Sequence, residues 1–286
     1  MFRILILTLL PLWAHAQVTG NVRTIGMAGA VRGDPVGNSA VVSNPAGMSR
    51  SYAYSAEAFY ERSAPGYNAA GLNVVDSKTQ PAMAVGVAYA YQFTDADQPV
   101  DDGHDARLAL AHAFVQQVFS VGLGLHYVHI DREVPGEDGK LAEQKVRTFT
   151  LDAGMLISPV PSLHLGVVGN NLIASEDERL PRRAGGGIAF TGELLTLDVD
   201  VLADFDTAPD PVAVVQTGAE AVLGGAVPVR AGFEYNGATD QKWVAGGIGF
   251  IDTRTRKEAN QLNIAFKQNI DDTHQWIFAA DMVIYL

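Results

Sequence analysis

The chain contains no cysteine. That absence excludes a disulfide framework, a thiolate metal site and a lipid-modified N-terminal cysteine. Formal charge is scarce: 18% of the 286 residues are Asp, Glu, Lys or Arg, against about a quarter in ordinary soluble domains. Cations are scarcer still, with 20 Lys and Arg facing 32 Asp and Glu, a net charge of −12 and a pI near 4.9. An ordinary nucleic-acid partner is thereby excluded, because neutralising phosphates needs a basic footprint. Long apolar runs are missing too. A long stretch without a formal charge, 153–175, is broken by Pro159, Pro161, His164 and the pair Asn170-Asn171, whereas a spanning helix needs about 20 predominantly apolar residues.

Catalytic and cofactor signatures are equally absent. There is no Gly-x-Ser-x-Gly elbow, no His-Glu-x-x-His and no Walker loop, and Gly122-Leu123-Gly124 lacks the third glycine of a nucleotide loop. His126 and His129 are three apart, which on a strand puts them on opposite faces, so they cannot share a metal as neighbours. Asp95, Asp97 and Asp101 lack the glycine and terminal Glu of an EF-hand loop. A His–Ser dyad on a barrel wall stays open for His129 or His112, while His112, His126 and His164 read more simply as hydrogen-bonding side chains. The expectation is a protein without metal or cofactor that is not an enzyme.

What is present begins with an export address. Met1-Phe2-Arg3 supplies a positive start, Ile4 to Trp13 an apolar core and Ala14-His15-Ala16 a small-x-small cleavage site, the pattern of a signal peptide over residues 1–16. Beyond Tyr52 the dominant period is two. Phe119, Val121, Leu123, Leu125 and Tyr127 fall on one face, opposed by Ser120, Gly122, Gly124 and His126. Met83 to Phe93, Leu195 to Val201 and Val229 to Tyr235 repeat the pattern. Alternation over about ten residues is the length a tilted strand needs to cross the hydrocarbon. It also hides hydrophobicity from averaging, so a 48% hydrophobic chain has a mean hydropathy of only +0.08.

Cutting at turn signals gives about fourteen such segments, near 51–61, 67–76, 81–94, 105–116, 118–131, 145–157, 162–173, 182–191, 194–205, 212–223, 227–236, 242–252, 260–269 and 275–286. Connections alternate between short (Gln116-Gln117, Gly192-Glu193) and longer (Asp95 to His104, Arg132 to Gln144, Ala174 to Pro181), as periplasmic turns and outer loops do in outer-membrane barrels. Thr253 to Ala259 is long for its short side. The acids Asp95, Asp97, Asp101, Asp102, Asp105, Glu133, Glu137, Asp138, Glu176, Asp177 and Glu178 read as a solvated outer rim. The last segment puts Trp276, Phe278, Ala280, Met282, Ile284 and Leu286 on one face, which resembles the assembly signal of outer-membrane proteins. By parity, Glu57, Asp152, Asp198, Asp200, Glu220, Glu234 and Asp281 point inward, with Arg183, Arg230 and Lys267 as counter-charges. Glycines on that inner face either relieve sheet curvature or leave room for something inside.

Residues 17–50 do not alternate. They carry Arg23, then Gly26-Met27-Ala28-Gly29-Ala30, Asp34, Asn38 and Asn44-Pro45-Ala46-Gly47-Met48. This order resembles the N-terminal hatch of the fatty-acid-transporter-like (FadL-type) outer-membrane barrels, a superfamily that includes the shuttle barrels of the type IX secretion system. The resemblance implies an all-β, transmembrane antiparallel barrel of fourteen strands over 51–286, plugged by a hatch over 17–50. Gly26, Met27, Gly29, Asp34, Asn38, Asn44, Pro45 and Gly47 carry the hatch motif. Two features depart from the fatty-acid transporters: the outer loops are short and acidic, and the inward-facing positions are charged rather than lipid-like. Two functions follow as expectations: hatch-gated passage of small solutes, apolar ones among them, and a non-transporting scaffold for a trans-envelope assembly such as a secretion or surface-motility machine. The expected partners are outer-membrane lipid, a hydrophobic small molecule and envelope-complex proteins.

Overall fold

The computed structural model describes residues 21–80, 82–135, 140–175, 179–252 and 259–286. The leader 1–16, residues 17–20, the rim acids Glu137, Asp138, Glu176, Asp177 and Glu178, and 253–258 of the long short-side connection lie outside the described residues.

Fourteen strands form one closed antiparallel barrel: β1 Tyr54–Ser63, β2 Tyr67–Asp76, β3 Met83–Thr94, β4 Asp101–Val115, β5 Phe119–Pro135, β6 Leu141–Val160, β7 Leu163–Asn170, β8 Arg183–Thr191, β9 Leu195–Asp204, β10 Val212–Leu223, β11 Val227–Asn236, β12 Gln241–Ile251, β13 Gln261–Asn269 and β14 Trp276–Tyr285. Each strand pairs with its sequence neighbours, and β1 closes the ring on β14 through registers such as Phe59 with Asp281. Closure leaves no strand edge in the wall, the condition for a sheet to cross a bilayer without unpaired backbone groups. No described helix is long and apolar enough to cross a membrane; the strands do so.

The period of two sorts the side chains. Leu123 is 67% exposed on the outside of the wall, while His126 on the same strand is fully buried inside. Val85, Val87, Tyr89 and Tyr91 of β3, Leu195, Leu197, Val199 and Val201 of β9, and Phe278, Met282 and Ile284 of β14 all face outward. These side chains form the lipid-facing belt. Facing inward are small residues: Ala84, Ala88, Ala109 and Ala111 pack against Ala40, Val41 and Met48. Small inner side chains leave space, and residues 21–50 occupy it.

That N-terminal segment folds as two short helices, α1 Val22–Gly26 and α2 Ser39–Ser43, and a 3-10 turn over Pro45–Arg50. Asn21 caps α1 by accepting a hydrogen bond from Thr24 N at 3.0 Å, a standard N-cap role. Val22 and Ile25 then pack on Ala265, Ile277 and Ala279. Ala28 and Gly29 at φ 52° and 94° end the helix. Asn44 is extended, as a residue before proline prefers, and its Oδ1 caps Ala46 N at 3.2 Å.

Two long outer loops of the sequence reading prove to be sheet. Strand β4 starts at Asp101, and β5 and β6 stay paired out to Pro135 with Leu141. The reason lies in packing: Leu180, from the β7–β8 connection, turns inward onto Val128 and Ile130, with Val146 alongside. The ladder is thereby supported beyond the wall's general height. The solvated-rim reading fails accordingly at two acids. Asp101 is buried and pairs with Arg179 at 2.9 Å, and Asp105 pairs with Arg107 at 3.2 Å inside the barrel.

Candidate functional site

The lumen is the site. A chain of polar contacts crosses it from β14 to β6 through the plug segment. Asp281 accepts from Asn263 Nδ2 at 2.7 Å, and Asn263 Oδ1 accepts from Arg230 Nη1 at 2.9 Å. Arg230 pairs with Glu220, whose other oxygen lies 3.4 Å from Arg23 Nε on α1. Arg23 then donates to the Asp34 carboxylate at 3.1 Å and to the Asp34 carbonyl at 2.9 Å. Arg50 pairs with the other Asp34 oxygen and reaches His164 Nε2 at 3.1 Å, and His164 Nδ1 meets Ser158 Oγ at 2.8 Å. Burial alone would raise the Asp34 carboxyl, but the Arg23 and Arg50 guanidiniums reverse this and hold it below the ordinary Asp range.

A second set of contacts grips the plug by its backbone. Asp200 Oδ2 accepts from Val31 N and Arg32 N, both at 3.0 Å, and from Arg32 Nη1 at 3.2 Å. Two residues along β9, Asp198 Oδ2 accepts from Asp34 N at 2.9 Å. Arg32 Nη1 also donates to Gln216 Oε1 at 2.6 Å, Gln216 pairs with Glu234, and Glu234 with Lys267 at 3.1 Å. At the start of the segment, Asn21 Nδ2 donates to both Glu57 oxygens, at 3.0 and 3.2 Å. Asn38 Oδ1 accepts from Ser55 Oγ at 2.8 Å. Arg183 pairs with Asp204 at 2.9 Å, and Asp152 accepts from Asn171 N at 2.8 Å, so these two hold the wall and an outer connection rather than the plug.

All ten charged positions assigned inward by parity face the lumen. Glu57, Asp198, Asp200, Glu220 and Arg230 join the plug or its holding network. Glu234 reaches the plug through Gln216, and Lys267 through Glu234 in turn. The motif glycines are set by contact. A Cβ on Gly47 would fall on the Pro35 carbonyl, and one on Gly29 on the Gln216 amide. Gly26 lies under Arg230, and Met27 packs on Gly218 and Gly232. Pro45 lies on Gly122 and Asn44 on Gly154. The two explanations left open for the wall glycines therefore separate. Gly122, Gly154, Gly166, Gly187 and Gly218 make room for the plug or for the carboxylate that holds it, whereas Gly124 and Gly185 face only neighbouring strands.

Sequence reasoning did not single out Arg32, Arg50, Gln216 or Arg107, and it put Asp105 on the outer rim. Asp105 and Arg107 share the parity of the inward Ala109 and Ala111, a usable signal. No periodicity could reveal Arg32 or Arg50, because the segment that carries them has none.

The Ser–His pair in the structure is Ser158 with His164, not one with His112 or His129, which lie on the outer side of the wall. It is not a nucleophile–base couple. Arg50 can only donate, so His164 Nε2 must accept, and the ring hydrogen sits on Nδ1 and points at Ser158 Oγ. A serine that receives a hydrogen bond from its histidine is not being deprotonated by it.

No protein-family model matches the sequence, and no curated protein matches it either. Solved structures do. The monoaromatic hydrocarbon channel CymD superposes with a TM-score of 0.67 at 12% identity, covering 94% of this chain and 97% of that one. The toluene transporter TbuX of Ralstonia pickettii gives 0.66 at 12% identity over 94% and 98%. A FadL homologue of Pseudomonas aeruginosa gives 0.62 at 12% identity over the same shares. The chain therefore has the fold of the FadL-type outer-membrane barrels, as its N-terminal resemblance implies.

Proposed function

We propose that this protein is an outer-membrane barrel, exported by cleavage of the leader at 1–16, whose N-terminal hatch gates the passage of small solutes. One observation carries the reading: the plug is held at its backbone by two wall carboxylates, Asp198 and Asp200, and by exchangeable ion pairs. A plug held by polar contacts can let go when water or a solute replaces them, because each such bond contributes only about 1–3 kcal/mol net. The fold's likeness to hydrocarbon channels supports small, apolar solutes as cargo. Two of the cavities between plug and wall measure about 170 and 60 Å³, below the roughly 300 Å³ of the smallest ligand sites; a larger one, of about 440 Å³, lies at the short-turn end beside Arg50.

The packed lumen also favours a second reading, a non-transporting scaffold that anchors a trans-envelope assembly. Reconstitution separates the two. Planar-bilayer conductance and hydrophobe uptake are measured for the wild type, for Asp200→Asn and for a deletion of residues 21–50. Passage requires the loosened and deleted forms to conduct; if neither passes ions or solute, the scaffold reading stands.

A further inference from the structure

At the short-turn end of the barrel, next to the last turn of the plug, lies a cavity of about 440 Å³ that the hatch-gating reading does not use. Its walls are Val36, Val118, Val160 and Pro161, and its polar lining includes Arg50 and Gln117. The volume falls within the range of small-molecule sites. Among the described residues, Arg50 is the only lysine or arginine in the lining. Its side chain is 18% exposed, and its contacts use one Nη1 donor on Asp34 and one Nη2 donor on His164. Of the five N–H donors of a guanidinium, Nε and the second hydrogen on each Nη meet no acceptor among the described residues.

We propose that this cavity binds a small amphiphilic carboxylate, with its head on Arg50 and its apolar body against Val36, Val118 and Val160. A carboxylate matches the planar fork of a guanidinium with two parallel hydrogen bonds. A free phosphate fits poorly, since a dianion would meet one guanidinium with the Asp34 carboxylate close behind it. The carboxylate takes the donors that Asp34 and His164 leave unused, and a guanidinium shared between two anions holds the plug's central acid less strongly when the site is occupied from the periplasmic side. The site needs only the closed plug and does not rest on solute passage.

Isothermal titration of the folded barrel in detergent with sodium benzoate tests the site. Saturable binding is expected, weakened about tenfold or more in Arg50→Gln, because a charge-assisted bond is lost. Val118→Trp, which fills the cavity and leaves Arg50 in place, is expected to abolish binding. Neutral benzamide and inorganic phosphate are expected not to compete. Benzoate is also expected to raise amide exchange over residues 34–50. Absence of saturable benzoate binding, equal competition by benzamide, or wild-type affinity in Val118→Trp would each overturn the site. Unchanged exchange on saturation would overturn its coupling to the plug. Should Arg50→Gln fail to fold, the Val118→Trp and benzamide arms decide the question.

Discussion

Asp200 on the barrel wall holds Arg32 of the plug twice through one oxygen: its Oδ2 accepts both the Arg32 backbone N–H at 3.0 Å and the Arg32 guanidinium at 3.2 Å. The same oxygen accepts from Val31 N. Asp198, two residues before it, accepts a single backbone N–H, from Asp34. The two acids therefore differ in what a neutral amide can replace. Asp200→Asn loses an ion pair and weakens two charge-assisted bonds, for about 2–3 kcal/mol, or roughly a 30- to 150-fold shift toward plug release. Asp198→Asn keeps an acceptor for its one donor and is expected to shift release far less. Conductance and protease sensitivity of residues 21–50 read both variants, and equal effects would contradict this division of roles.

The wall glycines make a steric prediction. A Cβ at Gly166 would fall on the Arg32 carbonyl oxygen, whereas at Gly246 it would have no contact closer than 3.7 Å, to the Arg230 carbonyl. Gly166→Ala is expected to displace the plug at a cost of about 1–3 kcal/mol. Gly246→Ala is expected to change stability by less than about 0.5 kcal/mol. Thermal unfolding and amide exchange over 30–34 distinguish them.

Acid is expected to loosen the plug through Asp34. Its carboxyl is held below the ordinary Asp range in the folded protein, so its contribution is fully present above the unfolded value of about 3.9. That contribution is lost as pH falls below about 4 toward the depressed folded value. Asp34→Asn removes the carboxylate altogether. The difference between wild type and this variant in protease sensitivity of the plug should shrink as the pH drops below about 4; a difference that stays constant there would contradict the assignment.

The lipid face makes a prediction of its own. Leu123 points outward from β5, four residues into the strand, and is 67% exposed on the protein surface. Leu123→Lys is expected to destabilise folding into bilayers by about 2–4 kcal/mol, read from denaturant titration of vesicle-inserted barrel. A change below about 1 kcal/mol would place Leu123 away from the hydrocarbon.

Much of the wall was legible from residue order. Tyr67–Asp76, Val212–Leu223 and Val227–Asn236 begin and end where alternation and turn residues put them. Side-chain parity has a period of two, so locating one lipid-facing Leu locates every second neighbour. The same rule placed Glu57, Asp198, Asp200 and Asp281 inside. Charge, read as solvent exposure, misplaces Asp101 and Asp105, although both share the parity of the inward Ala109 and Ala111. The deciding partners are Arg179, 78 positions from Asp101, and Arg107, on the same strand as Asp105 and with the same parity.

The sequence by itself determined the alternation, and with it a wall having one apolar and one polar face; that follows from backbone geometry residue by residue. Which inward acid meets which cation, and that Gly122, Gly154 and Gly166 exist to admit Pro45, Asn44 and Arg32, was decided only by tertiary structure. The plug has no period, so nothing local sets its path. Its course is set by close approach to wall residues spread along the whole barrel sequence, from Ser55 to Ala279, and by the hydrogen bonds its buried backbone must find there.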